Sequence, residues 1–340
     1  DKMELFGPAI CVRLYAEGPA AGFLPSTGDI KLFTQPQGEG VRVDAGVETG
    51  DEVTPFYDAM VAKIITYGET REDARMKMRS ALQKTALFGP ENNRDFLIDV
   101  MDKDEFIRGD ATTAFIGDNY GEAFSPRAID SSDLAVAAAA QHVVAMETHH
   151  SQAASVNEEL LDWVSMGRVT DTRCYEANGV PQDVTLISLS IGEYEVSVGE
   201  ETHHVTVSEM GENDLSAEVD GLMQRYHYVS EAPASLYLAS SDRSVLLADS
   251  TRIPPEAEDA AGGGTIAAPM HGQLLSIDVE TGASVSKGQR IAVLEAMKMQ
   301  HELTAPGDGT VVDIAAVAGK QIGAGDLIMV LELAGLESEE

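Results

Sequence analysis

The spacing of hydrophobic and polar positions changes along this chain, and its first third mixes two periods. Alternation with a period of two runs through residues 10–16, 40–47 and 61–67, as in half-buried strands. Residues 69–87 and 93–102 instead carry apolar side chains at helical spacing. We therefore expect an antiparallel sheet covered by helices in this region.

The middle third begins with a predicted helix and continues as strands. Residues 131–148 hold a run of alanines, with Asp130 or Ser131 as the helix cap and Asp133 in the first turn. Period-two alternation then recurs in seven short segments, at 183–191, 194–198, 203–210, 215–220, 223–230, 235–240 and 244–249. Turns such as Asp220 and Gly221 separate them, so we predict an antiparallel meander that closes into a barrel.

The last third is an internal repeat with an offset of 37 residues. APMHGQL at 268–274 matches APGDGTV at 305–311, and GASVSKGQRIAVLE at 282–295 matches GKQIGAGDLIMVLE at 319–332. Neither half is long enough to bury its apolar face alone. Together they predict a small sandwich or flattened β-barrel with pseudo-twofold symmetry, in which the joint at residues 296–300 is a hairpin.

These patterns divide the chain into four segments. We expect domains at residues 1–118, 119–250 and 265–333, separated by a linker at 251–264. The linker combines two prolines, several acids and three glycines, a composition typical of a flexible connection. Because the first residue is Asp1 and not Met, we expect the chain to begin inside a longer protein.

Composition excludes several classes of function. The 57 acidic residues against 23 basic ones give a formal charge of −34, which argues against binding to nucleic acid or to anionic membranes. Salt adaptation and solubility both explain this acidity. Two cysteines, Cys11 and Cys174, are too few for a disulfide scaffold, and no apolar run of membrane-spanning length or signal peptide is present. We expect a cytoplasmic protein.

The pentapeptide EAMKM at 295–299 is the strongest chemical signal. In an exposed hairpin the amine of Lys298 would be accessible to an acylating enzyme, which a buried strand would prevent. With Met297 and Met299 beside the lysine and the APM sequence at 268–270 about thirty residues earlier, the region resembles the biotin carboxyl carrier domain. The resemblance implies covalent biotin on Lys298, attached by a biotin protein ligase. A lipoyl domain is the alternative, although lipoyl lysines typically have Asp before and Ala after them.

The first region resembles a second family. GPAICVRLYAE at 7–17, GFLPSTG at 22–28, GEGVRVDAGV at 38–47 and TPFYDAMVAKIITYGETREDA at 54–74 are similar to the C-terminal part of biotin carboxylase, an ATP-grasp enzyme. The resemblance implies that Arg13 lies beside the biotin ureido ring and stabilises its enolate, a role suited to a fixed guanidinium. The alternative is a structural arginine that pairs with Glu17 or another surface carboxylate.

Several positions depart from the carboxylase pattern. The family usually has His and Glu where Pro8 and Cys11 stand and Asp where Gly18 stands, while Pro90, Glu91 and Asn92 replace Val, Lys and Thr. These departures put local packing and activity in doubt. We expect Cys11 to be a small buried hydrophobic residue.

The groups that would hold ATP are missing from the sequence. Residues 1–118 contain no glycine-rich phosphate loop and no paired metal carboxylates of the ATP-grasp type, so the sites for ATP and for Mg²⁺ or Mn²⁺ are expected outside this chain. No metal site is predicted either: His203 and His204 are adjacent in a predicted strand, point to opposite faces and are expected to be solvated.

Taken together, the sequence indicates an α+β multidomain protein. Between the two resemblances, the helix and meander are similar in position to the mediating domain of acyl-CoA carboxylase alpha subunits, which docks on the carboxyltransferase beta subunit. The family implies a ligase complex that uses ATP, bicarbonate and an acyl-CoA, and the compact middle region is most similar to the 3-methylcrotonyl-CoA and geranyl-CoA carboxylase type. The chain alone is expected to be inactive. A carrier and docking module without catalysis is the alternative.

Overall fold

The computed structural model describes residues 7–152, 164–165, 167–177, 180–231, 235–251, 264–296, 299–323 and 325–333. They form three units, which we call the N-terminal lobe (residues 7–127), the central barrel (helix 131–152 with strands between 170 and 249) and the C-terminal module (264–333). Most of the predicted linker at 251–264 lies outside the described residues. No helix in the described ranges is long and apolar enough to cross a membrane.

The N-terminal lobe is built of short strands and helices around one antiparallel sheet. Its strands are β1 (Ala9–Tyr15), β2 (Glu17–Gly18), β3 (Leu24–Pro25), β4 (Gly28–Asp29), β5 (Leu32–Thr34), β6 (Val41–Ala45), β7 (Glu52–Val53), β8 (Met60–Tyr67) and β9 (Ala86–Phe88). Its helices are a 3₁₀ turn (Pro19–Ala21), α1 (Arg71–Gln83), α2 (Arg94–Asp102), α3 (Asp104–Arg108) and α4 (Phe115–Tyr120). The main sheet has the order β1-β8-β6, and α1 and α2 pack on its apolar face.

The predicted helix over 69–87 is shorter than expected. Thr70 caps its start by accepting a hydrogen bond from the amide of Asp73 at 3.1 Å, and α1 ends at Gln83. Residues 86–88 instead form β9, which pairs with β5 and is wholly buried. The apolar run ALF at residues 86–88 happens to match the helical spacing of the residues before it. All three of its side chains are buried, as is typical of a short strand covered on both faces.

The central barrel encloses a helix. Strands β10 (Thr170–Ala177), β11 (Val180–Ser190), β12 (Glu193–Val198), β13 (Glu201–Met210), β14 (Asp214–Val219), β15 (Leu222–Glu231), β16 (Ser235–Ala239) and β17 (Ser244–Asp249) close into one antiparallel barrel. Helix α5 (Ser131–Gln152) is buried on all sides over residues 134–140. Alanines make this possible, because the interior of an eight-stranded barrel has room only for a slender helix.

The first barrel strand was not predicted from the sequence. β10 pairs with β11 along its length and with β17 at its end, so it closes the barrel. The charged residues of β10 obscure the alternation of apolar and polar positions in its sequence. Arg173 is accommodated in this strand by ion pairs with Asp171 at 2.8 Å and Asp249 at 3.1 Å. The seven predicted strands are all present.

The C-terminal module consists of two four-stranded sheets related by the sequence repeat. One has the order β18-β25-β23-β20, with β18 (Thr265–Ala267), β20 (Ser284–Val285), β23 (Gly309–Ile314) and β25 (Leu327–Leu333). The other has the order β22-β21-β19-β24, with β19 (Gly272–Ile277), β21 (Arg290–Ala296), β22 (Met299–Thr304) and β24 (Gln321–Ile322). β19, β20 and β21 begin 37 residues before β23, β24 and β25.

The equivalence of the two halves extends to their irregularities. The register of β19 against β21 shifts between Leu274 and Ser276, and that of β23 against β25 shifts between Val311 and Asp313, which are the matching repeat positions. Exchanging the halves converts one strand order into the other. The two sheets share one core, so the predicted pseudo-twofold fold is present.

The N-terminal lobe is joined to the barrel by a buried arginine at the start of α2. Arg94 is fully buried, and its guanidinium donates to the carbonyl oxygen of Ser240 at 2.6 Å and to the hydroxyl of Ser244 at 3.0 Å. It also pairs with Asp95 at 2.7 Å, whose carboxylate accepts from the Ser244 amide at 2.8 Å. Burial lowers the pKa of Arg94 and raises that of Asp95, while the ion pair opposes both shifts.

Replacing Arg94 by Met should loosen this joint. Removing one partner leaves the buried Asp95 carboxylate without its counter-ion and the Ser240 carbonyl oxygen without a donor, which costs about 3–5 kcal/mol of unfolding free energy. Urea unfolding followed by circular dichroism measures the loss of unfolding free energy. Arg79→Met is the matched control, because Arg79 forms a partly exposed pair with Asp102 worth at most about 1 kcal/mol. Equal losses in the two variants would contradict the role of the joint.

Candidate active site and carrier hairpin

Arg13 lies on the open face of the N-terminal sheet. Along β1 the side chains of Ile10, Val12 and Leu14 are buried, whereas those of Cys11 and Arg13 are exposed on the opposite face. Arg13 stands opposite Lys63 of β8 in the antiparallel register. The expectation that Cys11 is buried was therefore wrong: it shares the parity of Arg13, and a strand buried on one face exposes every second residue.

The guanidinium of Arg13 is available to an anionic ligand. Its nearest polar contact is the phenolic oxygen of Tyr15 at 3.4 Å, which raises the pKa of Arg13 above its ordinary value and keeps it charged. Among the described residues, no carboxylate lies within salt-bridge distance of it. Glu17, the pairing partner proposed as the structural alternative, binds Asn93 instead, at 2.9 Å.

Asn93 holds the strand that carries Arg13, and sequence reasoning missed it. Its side-chain amide donates to the carbonyl oxygen of Arg13 at 3.3 Å and to the Glu17 carboxylate at 2.9 Å. Its side-chain oxygen accepts from the Tyr15 amide at 3.0 Å. The available signal was an asparagine just before a predicted helix, a position that favours backbone hydrogen bonds.

Gly18, one of the positions that depart from the expected biotin carboxylase pattern, lies close to Glu91, which is another. A side chain at Gly18 would collide with the carboxylate of Glu91. Because the atom in the way is the far end of a flexible side chain, Glu91 would have to move if position 18 carried a side chain.

The carrier hairpin is described up to its tip. β21 and β22 are antiparallel neighbours, and their last paired residues are Ala296 and Met299. Met297 and Lys298, which join these residues in the sequence, lie outside the described residues, as does the side chain of Met299. The strands on both sides of the predicted attachment lysine therefore meet as a hairpin requires.

The two sequence motifs of the carrier converge in space. Met270, from the APM sequence, is 6 % exposed and packs against Leu294 and Ala296 of the strand that leads to Lys298. Leu24 of the N-terminal lobe also packs on this cluster. Leu24 belongs to β3, whose partner β2 follows directly after β1, so the base of the hairpin contacts the part of the lobe next to the Arg13 strand.

A serine, a histidine and an aspartate also line up at the start of α5. His203 lies 2.7 Å from Asp220 through Nδ1 and 2.8 Å from Ser131 through Nε2, so it is not the solvated histidine expected. Ser131 additionally donates to the carboxylate of Glu201. This negative charge opposes the oxyanion that a nucleophilic serine must stabilise. The cluster therefore fastens the start of α5 to β13, and the Glu201 carboxylate beside Ser131 argues against a nucleophilic role for that serine.

Within the described ranges, no group of three or more His, Cys, Asp or Glu side chains is arranged to hold a metal ion.

Two family models match the chain. Residues 11–118 match the biotin carboxylase C-terminal domain, and residues 264–331 match a model described as biotin-requiring enzyme. The first match contains Arg13, and the second covers the repeat except for its last residue. Both expected resemblances are confirmed, and with them the expected fold class.

Relatives match across both regions and the barrel between them. The propionyl-CoA carboxylase alpha chain of Ruegeria pomeroyi is 33% identical over 97% of this chain and 52% of its own length. The methylcrotonoyl-CoA carboxylase alpha subunit of Arabidopsis thaliana is 28% identical over 96% of this chain and 50% of its own length. A solved biotin carboxylase domain, from the 2-oxoglutarate carboxylase of Hydrogenobacter thermophilus, is 36% identical over 32% of this chain and 24% of that chain, with a TM-score of 0.32. The chain spans about half the length of the curated relatives it matches.

Truncating Met270 to Ala should destabilise the base of the hairpin. Loss of a buried methionine side chain leaves a cavity and costs about 2–5 kcal/mol of unfolding free energy. Val317→Ala is the control, since Val317 lies in the same module and is 55% exposed. Denaturant unfolding of the two variants measures the difference. A Met270→Ala loss no larger than that of Val317→Ala would contradict the packing of the two motifs.

Proposed function

We propose that this chain, which belongs to the biotin-dependent acyl-CoA carboxylase alpha subunits, carries a carboxyl group on biotin attached to Lys298. The observation that carries the proposal is the convergence of Met270 and Ala296 at the base of a hairpin between two equivalent half-modules. Bound biotin supplies a ureido nitrogen that accepts a carboxyl group at one site and releases it at another.

Lys298 acts as a tether and not as an acid or a base. Its amine forms the amide bond to biotin, and a biotin protein ligase is the enzyme class that makes this bond. The hairpin ends of β21 and β22 support this role, because paired strands hold the attachment point at the edge of a rigid module. Met297 and Met299 would identify the lysine to the ligase.

Arg13 is proposed to stabilise negative charge in the carboxylation half-reaction. A carboxylate partner would neutralise the guanidinium, and the described residues provide none within salt-bridge distance. The exposed face of β1 leaves it open to a ligand, and its charge is permanent at physiological pH. In the full-length subunit, ATP and bicarbonate would supply the carboxyl group at a site that this chain does not contain.

The central barrel is the proposed docking element for a carboxyltransferase beta subunit. Ile191 at one end of the barrel and Leu222 at the other are 68% and 62% exposed, so either end could contribute a single apolar contact to a partner. The negative charge of the chain favours a partner with a complementary positive surface.

The identity of the acyl-CoA substrate has less support than the role of the carrier. Relatives named for propionyl-CoA and for methylcrotonoyl-CoA match with similar coverage, so they do not favour one substrate. The compact middle region supports a methylcrotonyl-like or geranyl-like substrate. A panel of acyl-CoAs, assayed with the assembled complex, decides between the three.

Acting alone, the chain should be a carrier. We expect the biotinylated chain to acquire acid-labile label from bicarbonate when a separate biotin carboxylase and ATP are added. Without that enzyme it should neither acquire label nor hydrolyse ATP, because the phosphate-binding elements are absent from its sequence.

Lys298→Arg is the matched control, since it keeps the charge and removes the amine that is acylated. Label on this variant would contradict the assignment of the lysine. Turnover of ATP by the chain alone would contradict the view that it holds only part of the first site.

A further inference from the structure

The strand that carries Arg13 has a free edge. Among the residues that the structure describes, β1 pairs on one side only in the order β1-β8-β6, so the backbone groups on its other side have no strand partner there. Unpaired backbone groups are costly when buried and allow a strand to fray when they are exposed. A catalytic side chain on such a strand needs another element to hold the backbone.

Asn93 supplies the missing partner at the Arg13 position. Its side-chain nitrogen donates to the Arg13 carbonyl oxygen at 3.3 Å, and its side-chain oxygen accepts from the Tyr15 amide at 3.0 Å. One carboxamide thus presents a donor and an acceptor to residues two apart, as the N–H and C=O of one residue in a parallel neighbouring strand would. The Asn93 backbone amide adds a bond to the Tyr15 carbonyl at 3.2 Å.

The position of Asn93 is itself well determined. The residue is 4 % exposed and directly precedes α2. The next residue, Arg94, is anchored in the barrel through Ser240 and Ser244. A side chain held by such packing can transmit a fixed position to the strand it binds.

We propose that Asn93 is a positioning residue for Arg13. Its carboxamide binds the free edge of β1 and thereby fixes the backbone from which the Arg13 side chain extends. This inference rests on the proposed function of Arg13. Because Asn93 is buried, its effect on Arg13 is transmitted through the backbone of residues 13–15 and not by contact with a ligand.

The chemistry requires a carboxamide at position 93. A carboxylate there keeps the acceptor for Tyr15 but has no donor for the Arg13 carbonyl, and it faces the carboxylate of Glu17. Burial already raises the pKa of Glu17, and the hydrogen bond from Asn93 opposes that shift. Asn93→Asp therefore converts two attractive contacts into repulsive ones, whereas Asn93→Ser removes the bridging amide without adding charge.

The two hydrogen bonds from the Asn93 side chain to β1, which we call the clamp, are tested first on this chain and independently of activity. Amide hydrogen exchange followed by NMR should be about tenfold or more faster at Tyr15 in Asn93→Ser than in the wild type, because the shorter side chain removes the acceptor of a partly buried bond. Asn92→Asp is the matched control, since Asn92 contacts Leu87 and Arg94 but not β1. Exchange at Tyr15 that is no faster in Asn93→Ser than in the control would overturn the clamp.

The positioning role is tested in the full-length alpha subunit by carboxylation of free biotin. We expect Asn93→Asp and Asn93→Ser to lower kcat by about 100-fold, the typical cost of a displaced catalytic group, with KM for ATP unchanged. In an Arg13→Ala background the same substitutions should have no further effect on kcat. Losses that multiply in the double variants would overturn the inference.

The carboxylation assays distinguish failure of the positioning role of Asn93 from failure of the proposed function of Arg13. If Arg13→Ala leaves carboxylation unchanged, the proposed role of Arg13 fails and the positioning role fails with it, although the exchange result still stands. If Arg13→Ala abolishes carboxylation while both position 93 variants retain full kcat, only the positioning role fails.

Discussion

The architecture of the first two units depends on the start of helix α2, where two adjacent side chains reach in opposite directions. Asn93 binds the backbone of the strand that carries Arg13, and Arg94 inserts into the barrel. Neither contact belongs to a regular sheet or helix ladder. Both replace hydrogen bonds that the backbone would otherwise lack, so this short segment sets where the Arg13 strand lies relative to the barrel.

The carrier module depends on a different constraint, the equivalence of its two halves. Each half repeats the same strands and the same register shift, and the sheets can bury their inner faces only against each other. The sequence that joins the halves includes Lys298. The attachment of biotin that we propose at this joint would require no change in the described core, and the packing of Leu24 on the cluster of Met270, Leu294 and Ala296 brings the base of the hairpin to the lobe that carries Arg13.

Much of this could be predicted from the sequence, because periodicity reports on residues whose burial follows a simple rule. The repeat predicted the two-sheet module, and alternation located seven of the eight barrel strands. The eighth, β10, escaped because Arg173 is satisfied by Asp171 and Asp249 and not by solvent. Asn93 and Arg94 escaped for a similar reason: their roles come from partners distant in sequence, which a local pattern does not contain. The error over Cys11 came from residue type, although strand parity predicted its exposure.

The central claim is that Lys298 is the attachment site of biotin. It is tested most directly by expressing the chain with a biotin protein ligase and excess biotin, then measuring intact mass and mapping the modified peptide. The account predicts the addition of one biotinyl group per chain, located on Lys298 and absent from Lys298→Arg. An unmodified chain, or a biotinyl group on another lysine, would contradict it.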